Sequence, residues 1–286
     1  MKLKKTVIIL AALLSFSAAA PADALTNQMI KEHIVAANKG NHADLTRLTS
    51  DAKNGDANAQ TELGLFYVEN KNYAKAIYWF KKAANHGYAQ AEDGLAVAYY
   101  KGLGVPQNYI KAAYWYGKAA QQGDIAAEYT LGLSYAKGQG VSKNYAKAIY
   151  WFKKAANHGY AQAEDGLAVV YYKGLGVPQN YTKAAYWYGK AAQQGDIAAE
   201  YTLGLAYHEG QGVPQNWRKS IYWFRKAANQ GLPQAENALG LIYYKGIGVF
   251  KDNKKAIFWW KKAAAQGGEY GEQAQKGINI IDNGDS

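Results

Sequence analysis

Short amphipathic segments alternate along the chain between residues 56 and 267. One kind is represented by AAEYTLGLSYAKG (126–138) and the other by NYAKAIYWFKKAANHG (144–159). In the second segment, Ile149 and Phe152 share one face of a helix with 3.6 residues per turn, and Lys154 falls on the opposite face. The pattern predicts two short helices per block and no β-strands.

The segment KGLGVPQN joins the two predicted helices of a block. It begins at Lys101 and returns unchanged at Lys173, and looser copies begin at Lys137, Glu209 and Lys245, each 36 residues after the one before. A phosphate-binding loop is normally a single feature after a strand, so five copies at one interval indicate a structural turn within a repeat. Neither GxxxxGK[ST] nor GxGxxG surrounds it.

Glycine, proline and asparagine mark the boundaries of the predicted helices. We expect Gly102 to end the first helix in a left-handed conformation, Gly104 to allow a second bend, and Pro106 to prevent continuation. An Asn or Asp then caps the second helix of each block, at Asn72, Asn108, Asn144, Asn180, Asn216 and Asp252.

The first 24 residues are typical of a cleaved secretory signal, with Lys2, Lys4 and Lys5 before an apolar run that ends at Phe16. We expect cleavage near Ala24 and an exported product, periplasmic or secreted, without a transmembrane segment.

The mature chain is expected to be basic. Removing these three lysines and Asp23 from the formal charge of +11 leaves +9 for the mature chain. Anionic envelope polymers, not nucleic acid, are the expected surroundings. The absence of cysteine excludes disulfides and thiolate metal sites.

The pattern LGLxYxxGxGVxxNxxKAxYWxxKAAxxG, present at 131–159 and in variants elsewhere, resembles the Sel-one-like repeat, a relative of the tetratricopeptide repeat. The resemblance implies an all-α fold, a right-handed α-solenoid of helix–turn–helix repeats with a 36-residue period. It also implies that first helices line a concave side, that second helices form a convex side, and that members act as adaptors without catalysis. In a cysteine-rich bacterial branch of the family, a disulfide bond links the two helices of each repeat. This chain has no cysteine and cannot form such bonds.

The repeat pattern divides the chain into four parts. Residues 1–24 form the signal, 25–55 a capping helical hairpin, 56–267 six repeats, and 268–286 a capping helix and tail. Residues 72–141 reappear at 144–213 with five differences: Ala98/Val170, Ile110/Thr182, Ser134/Ala206, Ala136/His208 and Lys137/Glu209. Copying two repeats lengthens a binding ridge but rarely yields a second catalytic pocket, so we predict a binding protein and not an enzyme.

One face of the first helices is the leading candidate site, and we call it the groove face. By helical spacing and the family's geometry, it would line the concave groove and suit an extended or helical peptide. Packing between neighbouring first helices is the alternative role for these residues. The predicted groove face comprises Asp93, Tyr100, Tyr129, Ala136, Asp165, Tyr172, Tyr201, His208 and Tyr244.

The second helices carry a rival site on their outward face, which we call the lysine ladder. Its first members are Lys75, Lys82, Lys111, Lys118, Lys147, Lys154, Lys183 and Lys190, with tyrosines between them at Tyr78, Tyr114, Tyr150 and Tyr186. Such a surface suits an anionic envelope glycan or lipid headgroups, and its alternative role is a solvated back that covers the core. We expect the neighbouring tryptophans at 79, 115, 151, 187, 223 and 259 to be core.

Chemical signals elsewhere are weak. SDAK at 50–53 matches the S-x-x-K of penicillin-reactive enzymes but lacks the companion motifs. Recurrent glutamates such as Glu92 and Glu128 fall in the first turn of the first helices, where they favour the helix dipole. His86 and His158 have no second histidine one turn away. The sequence therefore predicts no catalytic residue, metal site or cofactor, and a protein or peptide as the main partner.

Overall fold

The computed structural model describes residues 42–284, and within this range all regular structure is helical. The helices are α1 (His42–Lys53), α2 (Ala57–Glu69), α3 (Tyr73–Asn85), α4 (Ala89–Lys101), α5 (Tyr109–Gln121), α6 (Ile125–Lys137), α7 (Tyr145–Asn157), α8 (Ala161–Lys173), α9 (Tyr181–Gln193), α10 (Ile197–Glu209), α11 (Trp217–Asn229), α12 (Pro233–Lys245), α13 (Asn253–Gln266) and α14 (Gly268–Gly284). Among the described helices, none is both long and apolar enough to cross a membrane. The predicted signal, residues 1–24, lies outside the described residues.

The predicted caps of the second helices are confirmed. Asn108 precedes α5, and its side-chain oxygen accepts a hydrogen bond of 2.9 Å from the backbone N–H of Lys111. The equivalent bond forms at Asn72, Asn144, Asn180, Asn216 and Asp252. Because the first amides of a helix have no partner within it, these short side chains determine where each second helix begins.

The glycine-rich turn does more than bend the chain. Gly102 ends α4 in the left-handed region, with φ of 71°, and its N–H donates to the carbonyl of Ala98. The second glycine of the turn also permits a close approach: a Cβ at Gly140 would overlap the carbonyl of Tyr109, at the start of the preceding repeat's second helix. The turn is therefore a packing element between repeats.

The described residues form two compact units, one ending at His158 and the other beginning at Gly159. In both, the first and second helices of a repeat cross closely at a glycine of the first helix. A Cβ at Gly132 would come within 2.6 Å of the Phe152 ring, and one at Gly204 within 2.7 Å of the Phe224 ring. Phe152 and Phe224 are 2% and 1% exposed, so each ring fills the space that the glycine leaves.

A terminal helix packs on the repeats of each unit. In the first unit, α1 contacts α2 through Leu45, Leu48 and the buried Ala52. The rest of the hairpin expected at 25–55 lies largely outside the described residues. In the second unit, α14 lies against α13, where Ile278 and Ile281 join the buried cluster around Trp260.

The tryptophans of the second helices are buried to different degrees. Trp79 and Trp259 are 7% exposed and belong to the core, as predicted. The four others, Trp115, Trp151, Trp187 and Trp223, are half-buried. The expectation that all six are core is wrong for these four, which pack against the buried clusters from their edges and stay partly exposed.

Candidate functional site

Most predicted groove-face residues are half-buried on the first helices. This group comprises Tyr100, Tyr129, Ala136, Asp165, Tyr172, Tyr201, His208 and Tyr244. Asp93 differs, since it is 5% exposed and is part of the interior. The prediction that Asp93 is an accessible groove residue is therefore wrong for this structure, although its equivalent Asp165 remains partly accessible.

Three members of the groove face pair with an aromatic ring at the start of the next helix. Tyr100 and Tyr109 have ring centroids 5.3 Å apart, and Tyr172 and Tyr181 have centroids 5.4 Å apart, both edge to face. His208 lies 4.7 Å from Trp217 in the same arrangement. Helical spacing in the sequence did not indicate these second-helix partners, since it predicts only the first helices on this face.

Three other members pack onto the core. Tyr129 lies 5.8 Å from Phe152, and Tyr201 lies 5.6 Å from Phe224. Tyr244 lies 5.6 Å from Trp260 in the last repeat. For these tyrosines the packing role is at least part of their function, whereas Tyr100, Tyr172 and His208 each pair with a ring that begins the next helix.

An acidic and aromatic cluster lies beside one of these pairs. Burial, together with the nearby carboxylate of Asp196, raises the pKa of Asp165 from its usual value of 3.8 to about 6. Burial also raises the pKa of the Tyr188 hydroxyl, with smaller contributions from Asp165 and Tyr172. Asp93, Asp124 and Tyr116 repeat the arrangement in the first unit, where burial again raises the pKa of each.

A cavity of about 60 Å³ opens next to this cluster in the second unit. Its lining comes from α8, α9 and α10, with a contribution from the turn after α10. The residues are Tyr172, Tyr181, Ala184, Ala185, Tyr188, Thr202, Leu205, Ala206, Glu209 and Gln211. The predicted groove residue Tyr172 is thus one wall of a concave feature, and Tyr188 is another wall that the sequence did not reveal.

Tyr188 could have been found from the alternation of the repeats. Its equivalents in the neighbouring repeats of the second unit, Phe224 and Trp260, have no hydroxyl. Tyrosine at this position occurs in the same repeats that carry an aspartate on the groove face, at Tyr116 with Asp93 and at Tyr188 with Asp165. The joint appearance of a hydroxyl and a carboxylate was the available signal.

The lysine ladder lies on the second helices, and the tyrosines between its lysines are exposed, at 52–60% for Tyr78, Tyr114, Tyr150 and Tyr186. The lysines are already engaged. Those at 75, 111, 147 and 183 lie over tyrosine rings of the first helices, at 5.1–5.4 Å from the ring centroids. Those at 82, 118, 154 and 190 lie over both the exposed tyrosine and the tryptophan that follows it.

Several ladder lysines also neutralise a buried glutamate. The ammonium of Lys118 lies 3.7 Å from Glu92, and that of Lys190 lies 3.5 Å from Glu164, while both carboxylates are 1% exposed. A glutamine completes the cluster, since Gln122 and Gln194 donate hydrogen bonds of 2.7 Å to these glutamates. The glutamates thus act across helices and not mainly through their own helix dipole.

One repeat departs from this cluster. His158 stands where the other repeats with this glutamate have glutamine, and the Oε2 atom of Glu128 accepts no hydrogen bond from residues 42–284. Burial raises the pKa of Glu128, although Lys154, 3.6 Å away, opposes the shift. Neither this cluster nor any other within residues 42–284 groups side chains that could hold a metal ion.

A family model for the Sel1 repeat matches six consecutive segments, at 57–88, 89–124, 125–160, 161–196, 197–232 and 233–268. The chain belongs to the Sel1 repeat family. Sel1 repeat proteins generally mediate protein–protein interactions and are typically non-catalytic scaffolds. No curated protein is significantly similar to the chain.

Solved structures of bacterial proteins are similar to this Sel1 repeat chain. A protective antigen present in uropathogenic Escherichia coli strains, which displays an SLR fold, is 37% identical over 84% of the chain, with a TM-score of 0.81. The chain spans only 52% of that protein's length. A Sel1 repeat protein from Oxalobacter formigenes is 34% identical, with a TM-score of 0.69, and the match covers 73% of this chain and 86% of that protein. The fold class is therefore an all-α solenoid of helix–turn–helix repeats.

Proposed function

We propose that this Sel1 repeat protein is an exported, non-enzymatic scaffold that binds a segment of a partner protein on its groove face. The observation that carries the proposal is the cavity beside the Tyr172 and Tyr181 pair. Tyrosine offers a large contact area and a hydrogen-bonding hydroxyl at a small entropic cost, which suits peptide recognition. The interaction role of the family supports the same conclusion.

Export is the part of the proposal that rests on the sequence. Residues 2–16 combine a basic start with an apolar run, which is the pattern of a secretory signal. The similar Escherichia coli protein is a protective antigen, a description that fits a protein accessible outside the cytoplasm. We propose a periplasmic or secreted location for the mature chain.

We also propose that the chain is not an enzyme, and the duplication supports this proposal. The copied 70 residues, 72–141 and 144–213, reproduce groove-face and ladder residues together, and five positions differ between the copies. A surface that recognises an extended partner gains area from such an event. An asymmetric reaction centre gains nothing comparable.

Binding of an anionic envelope glycan or lipid headgroups to the lysine ladder is the second candidate. The exposed tyrosines, at 52–60%, favour it because aromatic rings could stack on sugars. The engagement of Lys118, Lys154 and Lys190 by buried glutamates weighs against it, since part of the charge is already neutralised. We therefore prefer the groove face.

A peptide selection tests the proposal. The mature chain would be screened against a random 12-residue peptide library, and the affinity of the recovered peptides measured from about 50 to 500 mM salt. Groove-face binding through aromatic contacts should weaken only slightly with salt, whereas ladder binding should fall steeply. The proposal would be contradicted if the affinity of every recovered peptide fell steeply with salt, or if the selection recovered no peptide.

A further inference from the structure

The cavity beside Tyr172 has a specific chemical character. Three tyrosines, Tyr172, Tyr181 and Tyr188, form its aromatic walls, and Glu209, which is exposed, also lines it. Its volume of about 60 Å³ is several times the roughly 10–15 Å³ that one water molecule requires. The space is therefore large enough for the end of a long side chain, but too small for a whole aromatic residue.

The electrostatics of the cavity favour positive charge. No ion pair to Glu209 forms among residues 42–284, so its carboxylate is available to a ligand. Asp165 lies near the Tyr188 hydroxyl and adds a second carboxyl group to the surroundings. The faces of tyrosine rings carry negative potential and attract cations within about 6 Å of the ring centroid.

We propose that this cavity receives a cationic side chain, lysine or arginine, from the partner segment. The proposal rests on the proposed peptide-binding function and specifies the chemistry of the partner. The aromatic walls would contact the aliphatic stem and the charged head, and Glu209 would neutralise the head. A neutral apolar side chain would leave the carboxylate without a partner, and an acidic one would be repelled.

The duplication provides an internal comparison. The first copy retains all three tyrosines, at Tyr100, Tyr109 and Tyr116, but it has Lys137 where the second copy has Glu209. The lining residue Ala206 also differs, being Ser134 in the first copy. Two of the five differences between the copies thus fall on the lining of this one cavity, and one of them reverses its charge.

This charge reversal has a functional consequence. A lysine at the rim would repel a cationic side chain, so the first copy should not accept the ligand of the second. The two sites would then recognise different side chains, and the scaffold would acquire directionality along a partner that a perfect repeat would lack. Divergence at the lining is the expected result if the two copies contact different parts of one partner.

The test uses small probes with a single charged side chain: Nα-acetyl-lysine N-methylamide, its arginine equivalent, and neutral norleucine and acidic glutamate equivalents. The mature chain, with ¹³C-labelled tyrosine, would be titrated at low salt and followed by NMR. Signals of the cavity tyrosines would be assigned with Tyr172→Phe and Tyr181→Phe. We expect the lysine or arginine probe to shift these signals at concentrations at least tenfold lower than the norleucine probe.

Two charge variants sharpen the experiment. Glu209→Lys should weaken binding of the cationic probe at least tenfold, because it places a like charge at the rim. Lys137→Glu should create a second site and shift the signals of Tyr100 and Tyr109. Glu272→Lys, an exposed change of the same net charge on α14, serves as the control and should leave binding unchanged. Circular dichroism would establish that all three variants fold.

Equal binding of the lysine and norleucine probes would overturn the inference, as would cationic binding that Glu209→Lys leaves intact. Failure of the cation-site inference can be distinguished from failure of the proposed peptide-binding function. Suppose that the selected peptides lose affinity for Tyr172→Ala, contain no basic residue, and bind Glu209→Lys as tightly as wild type. The proposed groove-face function is then supported, and the cation site is refuted. If the cationic probe occupies the cavity while no selected peptide depends on Tyr172, the site stands and the peptide function falls.

Discussion

The ammonium of Lys190 lies 3.5 Å from the carboxylate of Glu164, whose side chain is 1% exposed. On the same helix, Lys183 lies over the Tyr171 ring, 5.4 Å from its centroid. Both lysines belong to the lysine ladder, yet only Lys190 neutralises a buried charge. Two members of one outward-facing set therefore have different structural roles.

We expect Lys190→Met to lower the free energy of unfolding by about 1–2 kcal/mol, because it leaves the Glu164 carboxylate buried with only the bond from Gln194. This loss is smaller than the roughly 3–5 kcal/mol expected for a fully buried ion pair, since the Lys190 side chain is 41% exposed and solvent screens the interaction. Lys183→Met is the matched control and should cost less than about 0.5 kcal/mol. Urea unfolding measures both, and equal losses would contradict the assigned roles.

The raised pKa of Asp165 predicts a pH-dependent stability. Its carboxyl holds a proton up to a pKa of about 6 in the folded chain, against a usual value of 3.8, so its contribution to stability is complete below pH 3.8. That contribution is lost as the pH rises through 6. Asp165→Asn cannot lose a proton, so its stability relative to wild type should increase between pH 4 and 7.5 by on the order of 1–3 kcal/mol. A difference that stays constant with pH would disprove the assignment.

Substitution of the second glycine of the turn by alanine should destabilise the fold more than the same substitution at a glycine with open space around it. Gly140 has φ of 74°, and a Cβ there would overlap the Tyr109 carbonyl, whereas Gly123 has φ of 88° and open space around it. Gly123→Ala should cost about 1–2 kcal/mol from backbone strain alone. Gly140→Ala should cost clearly more, since the backbone of the adjacent repeat must also move. Thermal unfolding of both variants decides the point, and similar losses would exclude the packing role of Gly140.

Trp151 and Lys147 distinguish the inner and outer parts of α7. Trp151 is half-buried and packs against the core of the first unit, so Trp151→Ala should cost about 2–4 kcal/mol. Lys147 is exposed and lies over the Tyr135 ring, 5.2 Å from its centroid, so Lys147→Ala should cost less than about 0.5 kcal/mol. Chemical denaturation compares the two, and a larger loss from Lys147→Ala would reverse the helix face assigned to each.

Local features of the fold were predictable because their causes are local. Asn108 caps α5 through a residue three positions away, and Gly102 needs only its own backbone freedom. The partners of Glu92 were missed because helix periodicity indicates which face a residue occupies but not what lies across from it. A signal was present, since Gln122, Gln194, Gln230 and Gln266 each follow a glutamate by 30 residues and donate to it.

The candidate site was predictable only in part. Tyr172 was found from the spacing of the first helix, but the cavity also needs Tyr181 and Tyr188 from the second. The sequence identified the position of Glu209 as diverging from Lys137, without indicating that it lines a cavity. Whether a side chain lines a concave surface depends on how two helices cross, and periodicity along one helix does not contain that information.

The affinity of a library-selected peptide for two variants tests the central claim most directly. If the partner binds the groove face, Tyr172→Ala should weaken binding at least about tenfold, which corresponds to 1.4 kcal/mol. The triple variant Lys111→Ala, Lys147→Ala and Lys183→Ala should bind as wild type does, because these exposed ladder lysines have no part in the groove. Unchanged binding by folded Tyr172→Ala, together with loss in the triple variant, would place the site on the lysine ladder and contradict the account.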